Sequence, residues 1–148
     1  MIRIQPITNL TQRDIEPLIA ASTAEGYRFV QQLWDEYASG QTTFSEDGAV
    51  LLGAFDERVL VAVGGVHTDS YVNRPEVGRI RHVYVMPDHR RDGIGKLLVQ
   101  SLIEHGSAQF TTFTLRTLTA HGNAFYKALG FNDETRFMNV THWYENDS

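Results

Sequence analysis

At 148 residues, 42% hydrophobic and 21% charged, the chain has the size and composition of a single globular domain spanning residues 1–148. It has no cysteine, which excludes disulfide and thiolate chemistry, and its apolar runs suit neither a signal peptide nor a membrane span, so a cytoplasmic protein with no membrane partner is expected. A formal net charge of −5 with a pI near 5.6 argues against a general nucleic-acid binder, whose footprint is basic.

Residues 3–7 read as a short first strand interrupted by Pro6. From 14 to about 24, Ile15, Leu18 and Ile19 recur at helical spacing, and Gly26 breaks the run. Helical spacing resumes over 27–37 with Val30, Leu33, Trp34 and Tyr37, and Gly40 stops it. Strands over 49–55 and 59–67 flank the turn Asp56-Glu57-Arg58, a hairpin pattern. Residues 79–86 form a further strand ended by Pro87-Asp88. A helix over 94–105 places Ile94, Leu97, Leu98 and Leu102 on one face. Residues 110–118, β-branched and aromatic, form a strand. A short helix over 123–129 is closed by Gly130, and 135–144 alternates as a last strand. The order β-α-α-β-β-β-α-β-α-β predicts an α/β (α+β) domain, a mixed sheet with helices on both faces.

Against the acidic background, Arg79, Arg81, Arg90, Arg91 and Lys96 fall within eighteen residues, together with His82 and His89. Such a concentration of cations suits a phosphate-bearing ligand. Within it, Arg90-Arg91-Asp92-Gly93-Ile94-Gly95-Lys96 follows a strand and opens a helix. The first turn of a helix carries unpaired N–H groups and partial positive charge, which a diphosphate can use. Gly93 and Gly95 would let it approach the backbone closely. The run is neither a Walker loop nor a dinucleotide fingerprint, since the required Gly-Lys-Ser/Thr and the third glycine are missing.

The stretch Ile80-Arg81-His82-Val83-Tyr84-Val85-Met86-Pro87, followed by that loop, resembles the acyl-CoA signature of the GNAT superfamily, (Arg/Gln)-x-x-Gly-x-(Gly/Ala) after an aliphatic-x-Val strand. A second element, Ala124-Phe125-Tyr126-Lys127-Ala128-Leu129-Gly130-Phe131, resembles the superfamily's Phe-Tyr-x-x-x-Gly-Phe segment. The resemblance implies a mostly antiparallel central sheet of six to seven strands, about four helices on both faces, and a splayed strand pair at the cofactor site. It implies an N-acetyltransferase that moves an acetyl group from acetyl-CoA to a primary amine, with no metal.

Residue by residue, the resemblance implies a β-bulge in the signature strand, with the backbone of Val83, Tyr84 and Val85 pairing with the pantetheine arm. The N–H of Val85 would stabilise charge on the thioester carbonyl. Arg90, Arg91, Asp92, Gly93, Ile94, Gly95 and Lys96 would hold the diphosphate. Tyr126, at the edge of a stripe formed by Ala124, Phe125, Ala128 and Leu129, would protonate the departing thiolate. Thr119 stands where the superfamily often has an asparagine, seven residues before the tyrosine, so Asn123 is the nearby substitute for a cofactor contact. The glutamate common near the start of the signature strand is missing, which leaves Glu76, His82 or a water as base; His82 also suits a satisfied core histidine.

The resemblance implies that the acceptor, a small-molecule amine or a peptide, meets residues 23–34 and 137–143, where Tyr27, Phe29 and Trp34 could line a slot and Glu25 could bind an amine, although the helical spacing of Trp34 with Val30 and Tyr37 also suits a core residue. Oligomeric state is left open by the sequence, although exposed strand edges in such folds can pair into a homodimer. Three other readings stand beside this one: a CoA-binding sensor or inactive relative, a protein-modifying acetyltransferase, and a phosphate binder that does not take CoA.

Overall fold

The computed structural model describes residues 1–146. Its elements are β1 (Ile2–Pro6), α1 (Gln12–Ala24), α2 (Phe29–Ala38), β2 (Val50–Asp56), β3 (Val59–Thr68), β4 (Val77–Val85), α3 (Ile94–Gly106), β5 (Thr112–Leu115), α4 (Ala120–Ala128) and β6 (His142–Glu145), with one 3-10 turn at Pro87–His89. The order is the one expected. The six strands form one sheet in the sequence β1-β2-β3-β4-β5-β6. All neighbours are antiparallel except β4 and β5, which run parallel because α3 carries the chain back between them. No helix among the described residues is long and apolar enough to cross a membrane.

Local chemistry sets the element ends. Thr11 caps α1 by accepting the Asp14 N–H at 3.2 Å, and Gly26 leaves the helix with φ +89°. Thr119 caps α4 by accepting the Gly122 N–H at 2.9 Å, so that helix begins three residues before its apolar spacing suggests. The last strand is much shorter than expected. Over 135–141 the alternation is real, but Asn139 adopts φ +62° and breaks the extended run. There Arg136 lies between the rings of Phe137 and Trp143, at 4.8 and 4.5 Å from their centroids.

Two cores sandwich the sheet. Ile80, Ile94, Leu98, Val99, Leu102 and Phe113 fill the α3 side, and Ile15, Leu18, Val30, Leu33, Leu51 and Val63 fill the α1–α2 side. Leu97 departs from the expected stripe: it is 52% exposed. One buried ion pair clamps the parallel junction. Asp69 is fully enclosed and meets Arg79 at 3.3 Å, while its other oxygen accepts the N–H groups of Tyr71 and Val72 at 2.8 and 2.9 Å. The hydroxyl of Thr114, on β5, donates to the same carboxylate. A loop, β4 and β5 are thus tied at one point.

Candidate active site

Beyond that tie the sheet opens. β4 pairs with β5 only from Val77 to Arg79, opposite Thr112 to Thr114, yet β4 runs on to Val85. Residues 80–85 therefore have an unpaired edge. On the other edge the register shows a bulge: Arg81 faces Gly65 and Tyr84 faces Val63, so His82 and Val83 together stand opposite Gly64. His82 takes φ +61° to make it. The Met86 N–H donates to Val61 on β3 at 2.9 Å. Backbone groups alternate sides along a strand, so residue 84 also faces β3, and the N–H and carbonyl of Val85 point into the opening.

The bulge turns both Arg81 and His82 toward the α1–α2 side. Arg81 pairs with Glu36 on α2 at 3.3 Å. His82 Nδ1 lies 3.0 Å from the carbonyl of Phe29, which can only accept, so Nδ1 carries the proton. Its Nε2 is buried with no hydrogen-bond partner among the described residues. Burial, helped by the charge of Arg81, lowers the imidazole pKa to about 3. His82 is thus neutral and weakly basic near pH 7, and its visible task is to tether the start of α2 to the bulge. Glu76, the other side-chain candidate for the base, is exposed ahead of the first residue of β4, six residues or about 20 Å of strand from His82.

The loop after β4 has two left-handed residues, Arg91 at φ +75° and Gly93 at φ +78°. Gly93 caps α3 without a side chain, and the space around it is open. Among the described residues, no protein acceptor takes the N–H groups of Arg91, Asp92, Gly93, Ile94, Gly95 or Lys96. Arg91, Asp92 and Lys96 are exposed, and Ile94 is the buried anchor of the helix. The two glycines serve different needs. Gly93 permits the turn, whereas a Cβ on Gly95 would lie 3.3 Å from the Phe125 ring and 3.6 Å from Val85 Cγ2. Gly95 lets α4 pack on α3, and Gly93 leaves open space at the turn.

Arg90 has a partner within the protein. Its guanidinium turns away from the loop amides toward Glu25, at the C-cap of α1. Nη1 and Nη2 reach the two carboxylate oxygens at 2.8 and 2.7 Å, and Nε donates to the Val85 carbonyl at 3.0 Å. Tyr84, otherwise buried, donates its hydroxyl to the same carboxylate. These bonds, first from Arg90 and then from Tyr84, hold the Glu25 pKa at about 2. Burial and the neighbouring Glu25 push the Tyr84 phenol up to about 12.

Tyr126 is the buried residue of α4, while Ala124 and Ala128 face solvent. Small alanines offer little area, so the aromatic side chain turns inward and not to the edge of the stripe. Its ring meets Phe125 at 4.9 Å, Phe131 at 5.4 Å and His142 at 6.2 Å. The hydroxyl has no hydrogen-bond partner within the described protein, and burial raises its pKa well above the ordinary phenol value. Asn123 is already engaged: His142 Nε2 lies 2.8 Å from its Oδ1, and Thr141 Oγ1 lies 2.8 Å from His142 Nδ1. Sequence reasoning missed Glu25 as the partner of Arg90 and His142 as the partner of Asn123. Both contacts are between distant segments, and neither has a local spacing that could reveal it. No cluster of metal-ligating side chains is present among the described residues.

Comparisons with known proteins bear on the family and the fold. Residues 12–131 match the family model described as the acetyltransferase (GNAT) family. A candidate acetyltransferase from Exiguobacterium sp. 255-15 is 27% identical, with a TM-score of 0.87 over 98% of this chain and 93% of that one. The PaiA N-acetyltransferase of Thermoplasma acidophilum, solved with coenzyme A, shares the fold at 18% identity and a TM-score of 0.69, covering 98% and 99% of the two chains. Glucosamine-6-phosphate N-acetyltransferase from Arabidopsis thaliana shares it at 20% identity and a TM-score of 0.65, covering 93% and 96%. No curated protein matches significantly. With the model match spanning most of the chain, the protein belongs to the acetyltransferase (GNAT) family.

Proposed function

We propose that the protein transfers an acetyl group from acetyl-CoA to a primary amine, by direct attack in a ternary complex. The observation that carries this reading is the run of acceptor-free N–H groups from residue 91 to 96, placed directly after the unpaired end of β4. The loop amides, with Arg91 and Lys96 beside them, suit a diphosphate. The open edge at Val83 and the N–H of Val85 suits an extended amide-bearing arm, which would pair with it much as a strand does.

When bound, acetyl-CoA supplies an activated thioester. The Val85 N–H, directed into the opening, would donate to its carbonyl oxygen. Tyr126 holds a proton at neutral pH and its hydroxyl has no hydrogen-bond partner among the described residues, so it would be free to protonate the departing thiolate. With His82 held near 3, the amine's proton passes to water in this reading.

The same low basicity of His82 favours one second reading, a CoA binder without transferase activity. Calorimetric titration with CoA, joined to a thiol-release screen with acetyl-CoA over chemically varied amines, separates the two. Binding with thiol release for at least one amine supports the transferase. Binding with no release for any amine supports the second reading, and no binding of CoA overturns both.

A further inference from the structure

Glu25 and Arg90 are sixty-five residues apart in sequence, and their side chains meet in a forked pair. The pair does more than join two charges. Glu25 sits where α1 hands over to α2, within the expected acceptor segment. Arg90 opens the cofactor loop. Between them lies the last turn of β4: Tyr84 donates to Glu25, the Arg90 guanidinium sits 5.4 Å over the Tyr84 ring, and Arg90 Nε holds the Val85 carbonyl at 3.0 Å. One carboxylate therefore organises three groups at the mouth of the opening.

We propose that Glu25 is a positioning residue for the cofactor loop: by holding Arg90 and Tyr84 together it fixes the Val85 carbonyl and the turn at residues 90–93, and so couples the α1–α2 junction to the diphosphate end of the site. This rests on the acetyl-CoA reading above. Arg90 then acts through the backbone it holds, with its own charge already matched. A bidentate pair confers geometric specificity that a single contact does not. Both side chains are partly exposed, at 30% and 40%, so losing the pair leaves the fold intact and shows in binding.

The test is a double-mutant cycle on CoA affinity, measured by calorimetry, with the KM for acetyl-CoA and kcat measured alongside. Glu25→Ala and Arg90→Ala are each expected to raise the Kd for CoA by about five- to tenfold, a usual size for coupling between sites. The double variant is expected to bind no more weakly than the weaker single, because both remove one device. Glu25→Asp, which keeps the charge on a shorter arm, is expected to recover part of the loss, and the KM for acetyl-CoA is expected to rise more than kcat falls. Should Glu25→Ala fail to fold, Glu25→Gln carries the same comparison, since it keeps the shape and loses the charge. Wild-type affinity in a folded Glu25 variant, or losses that simply add in the double variant, would overturn the proposal while leaving the acetyl-CoA reading standing. A wild-type protein that binds no CoA would overturn that reading first.

Discussion

The ring of Phe125 rests on the backbone of Gly95, so closely that a Cβ there would stand 3.3 Å from Cζ. This contact joins the helix that carries Tyr126 to α3, the helix that follows the Gly93 turn. Gly93, two residues earlier, has open space and a left-handed φ of +78°. The two alanine substitutions should therefore behave differently. Gly93→Ala is expected to cost about 1–2 kcal/mol of stability through backbone strain alone. Gly95→Ala gains about 1 kcal/mol of helix propensity against about 1–3 kcal/mol of crowding, so its net cost is expected to stay below about 2 kcal/mol. Its larger effect is expected in kcat, because Phe125 must shift beside Tyr126. Urea unfolding and steady-state kinetics on both variants check this.

Removing the Tyr126 hydroxyl breaks no hydrogen bond within the described protein. Tyr126→Phe is therefore expected to melt with the wild type. If the hydroxyl is the acid, kcat should fall by about 10²–10⁴-fold while the Kd for CoA changes little. Wild-type turnover in that variant would remove Tyr126 from the chemistry.

Asp69→Asn keeps the shape of the clamp but leaves Arg79 buried without its counter-charge. The expected loss near neutral pH is about 3–5 kcal/mol in urea unfolding. Desolvation alone would raise the Asp69 pKa, but the bonds from Thr114, Val72 and Tyr71 and the charge of Arg79 outweigh it and lower the pKa. A lowered carboxylate stabilises the fold above its ordinary pKa, and that contribution disappears as the pH falls through the lowered value. The gap between wild type and Asp69→Asn should accordingly narrow in strong acid.

His82 has the same sign by a different route. Its pKa is about 6.5 when unfolded and about 3 in the fold, so between those values the unfolded chain binds the extra proton. The wild type is expected to lose stability steadily as the pH falls from 6.5 toward 3. His67, also lowered by burial, adds to the same limb. In His82→Gln, where an amide can still donate to the Phe29 carbonyl, the melting temperature should depend less steeply on pH over that range. A pH–rate profile of the wild type should carry no limb belonging to His82 near neutrality.

Much of the fold was legible because it is written locally. The helical spacing of Ile15 and Leu18, the hairpin around Asp56-Glu57, and the Gly-x-Gly run after a β-rich stretch each lie within one short window, and each element was found. What was misread depends on tertiary contact. Tyr126 was expected at the edge of a stripe drawn through Ala124 and Ala128, but burial follows the area available, and the aromatic ring won the inward position. Leu97 matched the period of α3 and still faces solvent. The pairing of Arg90 with Glu25 has no local signal, since only the folded chain brings the two together. The seven residues before His142 alternate like a strand, yet a left-handed Asn139 and the stacked Arg136 keep them as a loop.

The short parallel junction has a mechanical consequence. Three residue pairs join β4 to β5, against five, seven, six and four at the other seams, so this one is the narrowest weld in the sheet. The molecule is in effect two leaves, one of four strands and one of two, held along a hinge that Asp69 pins at its closed end. A molecule lodged between the leaves would act as the missing strand, stiffening the hinge and protecting the outward-facing amides of this stretch, Val85 among them, from solvent exchange.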